Sequence, residues 1–205
     1  MKYRPITFDR LAAELTERIL GMAGTRWVRV AIDGAADTRL LADALVDPLR
    51  INGRAVLRVS TVDFLRPASL RFEKGKQDPD ARYSDWLDEN ALRREVLNPL
   101  SPGGDGMVLP ALWDAERDRA TRLDRVALAA GGVLIADGEL LLGRGLPFEL
   151  TVHLSVSPSA LRRRLPEGDR WALPAFARYE NEVRPAETAD ILVRVDDPRH
   201  PAVAA

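Results

Sequence analysis

The sequence predicts an α/β fold in which a parallel sheet carries helices on both faces. Three observations predict it. Apolar runs of strand length alternate with stretches of helical periodicity, the pattern of crossover-connected parallel strands. The run Val28 to Ile32 passes through Asp33 and Gly34 into the amphipathic stretch ending Leu40-Leu41-Ala42-Asp43-Ala44-Leu45, the strand, glycine turn and helix that phosphate-binding loops use. A chain of 205 residues with 46% hydrophobic content can also bury a sizeable core.

The elements follow in order. Phe8, Leu11, Leu15, Ile19 and Met22 recur at helical spacing behind Thr7, whose hydroxyl suits an N-cap, and Gly21 and Gly24 close the segment. Residues 1–25 therefore read as an N-terminal helix packed outside the sheet. After the first strand, Ala55 to Val59, Val133 to Ala136, Leu150 to Val156 and Ile191 to Val195 have the length and composition of further strands. Arg66 to Tyr83 is rich in charge, Pro and Gly, and Ser101 to Gly106 is a turn cluster, so both read as surface loops. Nothing repeats, and residues 1–205 are expected to form one domain.

Thirty basic residues against thirty-one acidic ones leave a net charge of -1, which gives no bulk electrostatic attraction to nucleic acid or to an anionic membrane. The chain has no cysteine and two histidines, so disulfides, thiolate chemistry and His- or Cys-rich metal sites are excluded and carboxylates are the metal candidates. Met1 to Pro5 leads into a charged amphipathic stretch rather than an apolar leader, and no run approaches membrane-spanning length. A cytoplasmic location is the expectation.

In an open parallel sheet, ligands bind beyond the carboxyl ends of the strands. Three expected strands end there in acids, Asp33, Asp63 and Asp137, a set suited to Mg²⁺ and to general-base work on a hydroxyl. The plainer alternative is that Asp is common where strands meet turns. The loop after Asp33 lacks the residues that bind phosphate. Of the pattern G-x-x-x-x-G-K-[ST] only Gly34 stands in place, and alignment through Leu41-Ala42-Asp43 leaves the loop about two residues short, with Asp37, Thr38 and Arg39 where Gly, Lys and Ser/Thr belong. An anionic Asp37 repels a triphosphate. Arg39 as cation and Thr38 as hydroxyl are the available substitutes.

Several segments, in order, resemble the uridine kinase and phosphoribulokinase group of P-loop kinases. They are Val30-Ala31-Ile32-Asp33-Gly34, Val59 to Pro67, Tyr83 through Asp88 to Glu95, Asn98-Pro99-Leu100, Pro102-Gly103-Gly104-Asp105, Trp113-Asp114, Leu134-Ile135-Ala136-Asp137-Gly138, and Tyr179 through Glu182 and Pro185 to Val193. The resemblance implies a P-loop NTPase-like sheet with a short lid over residues 158–182, and transfer of the ATP γ-phosphoryl group to a hydroxyl of a nucleoside-like small molecule with Mg²⁺ assisting. It implies Asp137 near the metal, Asp88 at a ribose hydroxyl, Trp113 and Tyr179 at the acceptor, and an arginine of the Arg162-Arg163-Arg164 run, taken as Arg163, over the phosphates. The family's general-base position is Val62, which leaves Asp63 as the neighbouring acid. For Asp88 the alternative is a helix cap, and for Trp113 a core side chain. Because loop, lysine and base all depart from the pattern, two expectations stand: a phosphotransferase homologue whose ATP-dependent activity is lost or altered, or a non-catalytic protein that binds a small molecule, a protein partner or another copy of itself.

Overall fold

The computed structural model describes residues 2–22 and 24–204; Met1, Ala23 and Ala205, which fall in the expected segment 1–25 and domain 1–205, lie outside the described residues. After a short strand β1 (Tyr3–Pro5), Thr7 caps α1 (Phe8–Leu20) by accepting a hydrogen bond from the Arg10 N–H at 3.2 Å. Leu11, Leu15 and Ile19 form the buried stripe of α1, as their spacing predicts. Next come β2 (Val28–Gly34), α2 (Thr38–Ile51) and β3 (Val56–Ser60), then, beyond a long insertion, β4 (Val133–Gly138), β5 (Leu150–Ser155), β6 (Ile191–Arg194) and β7 (Ala202–Ala204).

These strands make one sheet in the order β1-β7-β6-β5-β2-β4-β3. The five from β6 to β3 are parallel, as expected, while β7 and β1 extend the edge antiparallel. Strands of three residues carry too few side chains to show a pattern in sequence, so this edge was not foreseeable. The central strand β2 is buried throughout and sorts its side chains by parity. Val28, Val30 and Ile32 pack with α1 and α2, and Ala31 belongs to the cluster on the opposite face. Arg29 is a charge inside that sheet, and it is satisfied by Glu149, at 2.5 Å from Nη2, and by Ser101 Oγ at 2.9 Å.

The second face is covered by the insertion between β3 and β4 and by the segment after β5. The insertion contains a 3₁₀ turn (Thr61–Phe64), α3 (Pro79–Ser84), α4 (Glu89–Leu92) and a π-turn (Arg93–Leu97), and it contributes Phe64, Leu92, Val96 and Leu97 to the core. The expected surface loop Arg66 to Tyr83 is therefore more ordered than its composition suggests. Its Arg71 is buried, donating to the carbonyls of Arg66 and Ala115 and lying over the Phe72 and Trp86 rings, so a charged stretch is drawn inward by its guanidinium. After β5, α5 (Pro158–Arg164) ends before Pro166, a 3₁₀ turn spans Glu167–Ala172, and α6 (Leu173–Glu182) follows; together they form the short lid.

Gly34 is required at the end of β2. A Cβ there would lie 2.7 Å from the Leu154 carbonyl oxygen and 2.9 Å from its Cβ, both on the neighbouring strand β5. Gly34→Ala is expected to lower the urea midpoint by the equivalent of about 1–3 kcal/mol with an unchanged denaturant slope; an unchanged midpoint would show that β5 yields there.

Candidate functional site

Sheet register creates the site. Asp33 on β2 is paired with His153 on β5, and residues paired across parallel strands point to the same face. The Asp33 carboxylate consequently meets His153 Nδ1 at 2.6 Å. Two more donors complete its shell: Tyr179 Oη on α6 at 2.9 Å, and the Leu141 backbone N–H at 2.8 Å. Tyr179 Oη in turn accepts from the Leu142 N–H at 2.9 Å. The turn after β4 presents these two N–H groups by taking Leu140 through the left-handed region (φ 54°). Asp33, His153 and Tyr179 are all buried.

A carboxylate only accepts, so Nδ1 of His153 carries a proton. Burial opposes a charged imidazole, but the Asp33 carboxylate and, on the Nε2 side, Glu180 lift its pKa to about 9. Burial, followed by the neighbouring Asp33 charge, pushes the Tyr179 phenol up and keeps it protonated.

The turn from Gly34 to Arg39, expected from the sequence as the phosphate loop, is bonded to the chain itself. Asp37 heads α2 in a left-handed conformation (φ 63°) and its side chain makes no capping bond. It instead accepts two hydrogen bonds of 2.7 Å from Nη2 of Arg164, whose Nη1 donates to the Val195 carbonyl at 2.9 Å. The arginine at the loop is thus Arg164, whereas Arg163, one residue along the helix, is exposed. Thr38 is buried at the start of α2, and Arg39 points outward, 82% exposed and 3.9 Å from Asp43. Gly34 sits at the base of the loop, as expected from the sequence.

The expected catalytic and metal acids lie near one another at the carboxyl edge. Asp63 is half-buried; burial and the nearby Asp137 charge raise its pKa, and Val62 beside it is exposed. Burial likewise raises the pKa of Asp137, against the pull of Arg58. That arginine bonds Asp137 at 2.8 Å and Asp43 at 2.7 Å. Among the described residues no group of three or more His, Cys, Asp or Glu is arranged to hold a metal. With Asp137 neutralised by Arg58 and no lysine in the loop, the residues present do not fit Mg²⁺-ATP.

The three expected acceptor residues stand in different local settings. Asp88 caps α4, its carboxylate accepting from the Ala91 N–H at 2.9 Å, which is the plainer alternative for that residue. Trp113 lies in a two-residue ladder with Arg119–Ala120 and donates to Asp118 at 3.1 Å. Tyr179 borders a cavity of about 620 Å³ between the end of β5, α5 and α6, whose walls include Gly34, His153, Leu161, Phe176 and Glu180. His153, Arg58 and the cavity itself escaped sequence reasoning, and within the arginine run it singled out Arg163 rather than Arg164. The one available signal was His153 interrupting the apolar run Leu150 to Val156.

A five-stranded parallel core with its first long strand at the centre, followed by a glycine turn and a helix, makes this an open parallel α/β fold. Two solved structures share it. One, described as a possible uridine kinase from Bacillus stearothermophilus, superposes with a TM-score of 0.72 at 18% identity, over 88% of this chain and 96% of that one. The other, a candidate fructose transport system kinase from Silicibacter sp. TM1040, gives 0.64 at 21% identity, over 90% and 95%. No family model and no curated sequence matches the chain. Among the described residues no helix is long and apolar enough to cross a membrane.

Two expected outcomes follow. His153 has a pKa of 6.5 when unfolded and about 9 when folded, so its contribution is fully present below pH 6.5 and is lost as pH rises through 9. Urea unfolding should show stability falling across that window by about 3 kcal/mol, and His153→Gln should flatten the profile. Asp88→Ala should cost about 1 kcal/mol as a lost cap; a thermal scan with no shift would return Asp88 to a ligand role.

Proposed function

We propose that this protein is a P-loop-kinase-fold binding protein that does not use Mg²⁺-ATP, and that it takes a small molecule in the cavity beneath its lid. The reading makes it a homologue of nucleoside-kinase-like phosphotransferases in which ATP-dependent transfer is lost. The observation that carries it is the Arg164–Asp37 pair, in which one guanidinium nitrogen bonds both carboxylate oxygens. Phosphoryl transfer relies on cations and loop N–H groups held open for the phosphates. Here the loop is short, its lysine is missing, and its arginine already holds a carboxylate. Arg58 treats Asp137 in the same way, so a metal would have to displace a guanidinium. Family cofactors ATP and Mg²⁺ are thereby set aside, and a small molecule, rather than nucleic acid or a membrane, is the partner that the near-neutral chain and the cavity favour.

Calorimetric titration tests this directly. Mg²⁺-ATP is expected to bind no tighter than about millimolar, equivalent to about -4 kcal/mol. Micromolar binding that requires Mg²⁺ would overturn the reading. Asp37→Gly, which suits the left-handed backbone and frees Arg164, should tighten ATP binding by at least about tenfold; if it does not, the ion pair is not what closes the loop.

A further inference from the structure

The cavity wall holds one buried polar atom that has no hydrogen-bond partner among the described residues. His153 is 3% exposed, its Nδ1 is held by Asp33, and its Nε2 is buried with no hydrogen-bond partner. Buried polar nitrogens are nearly always paired, so an orphan at a cavity wall marks a place where a ligand completes the bonding. The nearest candidate, Glu180 Oε1, stands 3.6 Å from Nε2, beyond hydrogen-bond reach, on a side chain that is 46% exposed.

We propose that this cavity binds an amphipathic monocarboxylate, with its carboxylate accepting from His153 Nε2 beside Gly34 and Ala35 and its apolar body lying along Leu161, Leu173 and Phe176. The inference rests on the binding-protein reading above and names the ligand class. Three features select that chemistry. The Asp33 carboxylate fixes the imidazole orientation and favours its charged form, so Nε2 is a donor and seeks an acceptor, best an anion. The walls are largely Leu, Val, Phe, Pro and Ala, which suit a hydrocarbon or aromatic body, and about 620 Å³ lies in the range of small-molecule sites. Charge sets the valence. The groups facing the ring are Asp33 from β2, Glu180 and the neutral Tyr179 from α6, with Arg162 of α5 at the cavity wall. Two carboxylates already flank the imidazole, so a phosphate dianion is repelled where a single negative charge is accommodated once Glu180 swings aside.

The test is calorimetry of the full chain at pH 7 with four probes sharing one chain length: octanoate, octanol, octylammonium and octyl phosphate. Octanoate is expected to bind at least about tenfold tighter than each of the others. Glu180→Gln should tighten octanoate several-fold and leave octanol unchanged, because it removes a competing carboxylate from an exposed side chain. His153→Gln should abolish the preference for octanoate over octanol; should that variant fail to fold, the Glu180 comparison still decides. Octanoate affinity of the wild type should also weaken as pH rises through 9. Equal binding of octanol and octanoate, preference for octylammonium or octyl phosphate, no binding of any probe, or no response to Glu180→Gln would each overturn the carboxylate assignment. None of these outcomes touches the Mg²⁺-ATP titration, which judges the binding-protein reading by itself.

Discussion

The carboxylate of Asp33 sits with no exposure at the carboxyl end of the central strand, and the region above the sheet is organised around satisfying it. A buried, unpaired carboxylate would cost several kcal/mol. The cost is offset because donors reach it from three separate parts of the chain: the His153 imidazole on β5, the Tyr179 hydroxyl on α6, and the Leu141 N–H after β4. One side chain therefore ties a neighbouring strand, the lid helix and the following turn to β2. The same requirement orients the imidazole, leaving Nε2 toward the cavity. Stability and site geometry are thus consequences of one electrostatic demand.

Charge elsewhere at this edge follows a related rule. A phosphoryl-transfer site holds cations whose counter-charges arrive with the substrate. In this chain two cations at the carboxyl edge already have internal partners: Arg164 has Asp37, and Arg58 has both Asp137 and Asp43. The Arg164–Asp37 and Arg58–Asp137 pairs are partly buried, so they are screened less than surface pairs and a competing anion must break them before it can bind. At this edge acids and arginines are paired with one another, and beside them a largely apolar cavity lies between β5 and α6.

Much of the architecture was legible because it rests on local periodicity. The Thr7 cap, the α1 stripe and the five parallel strands arise from side-chain spacing within each segment, which a sequence displays directly. Glycine at position 34 was readable for the same reason, as a residue without Cβ at a strand-to-helix turn. The insertion was less legible: Arg71 looks like a surface charge until the carbonyls and rings that receive it are assembled from distant segments. Asp88 was readable in both its senses, as a ligand and as a cap, and the local hydrogen bond to Ala91 is the one the structure displays.

By itself, then, the sequence determined the order of the five parallel strands and their main helices, the position of the Gly34 to Arg39 turn, and the absence of a lysine from it, since each is a property of consecutive residues. It also carried every acid and arginine of the site without showing which would meet. Pairing was decided only in three dimensions. Asp33 and His153 are 120 positions apart and come together through strand register, while Asp37 and Arg164 are 127 apart and join through the placing of α5 over the loop. Register and helix placement are set by packing of the whole core, which leaves no mark at the residues it brings into contact.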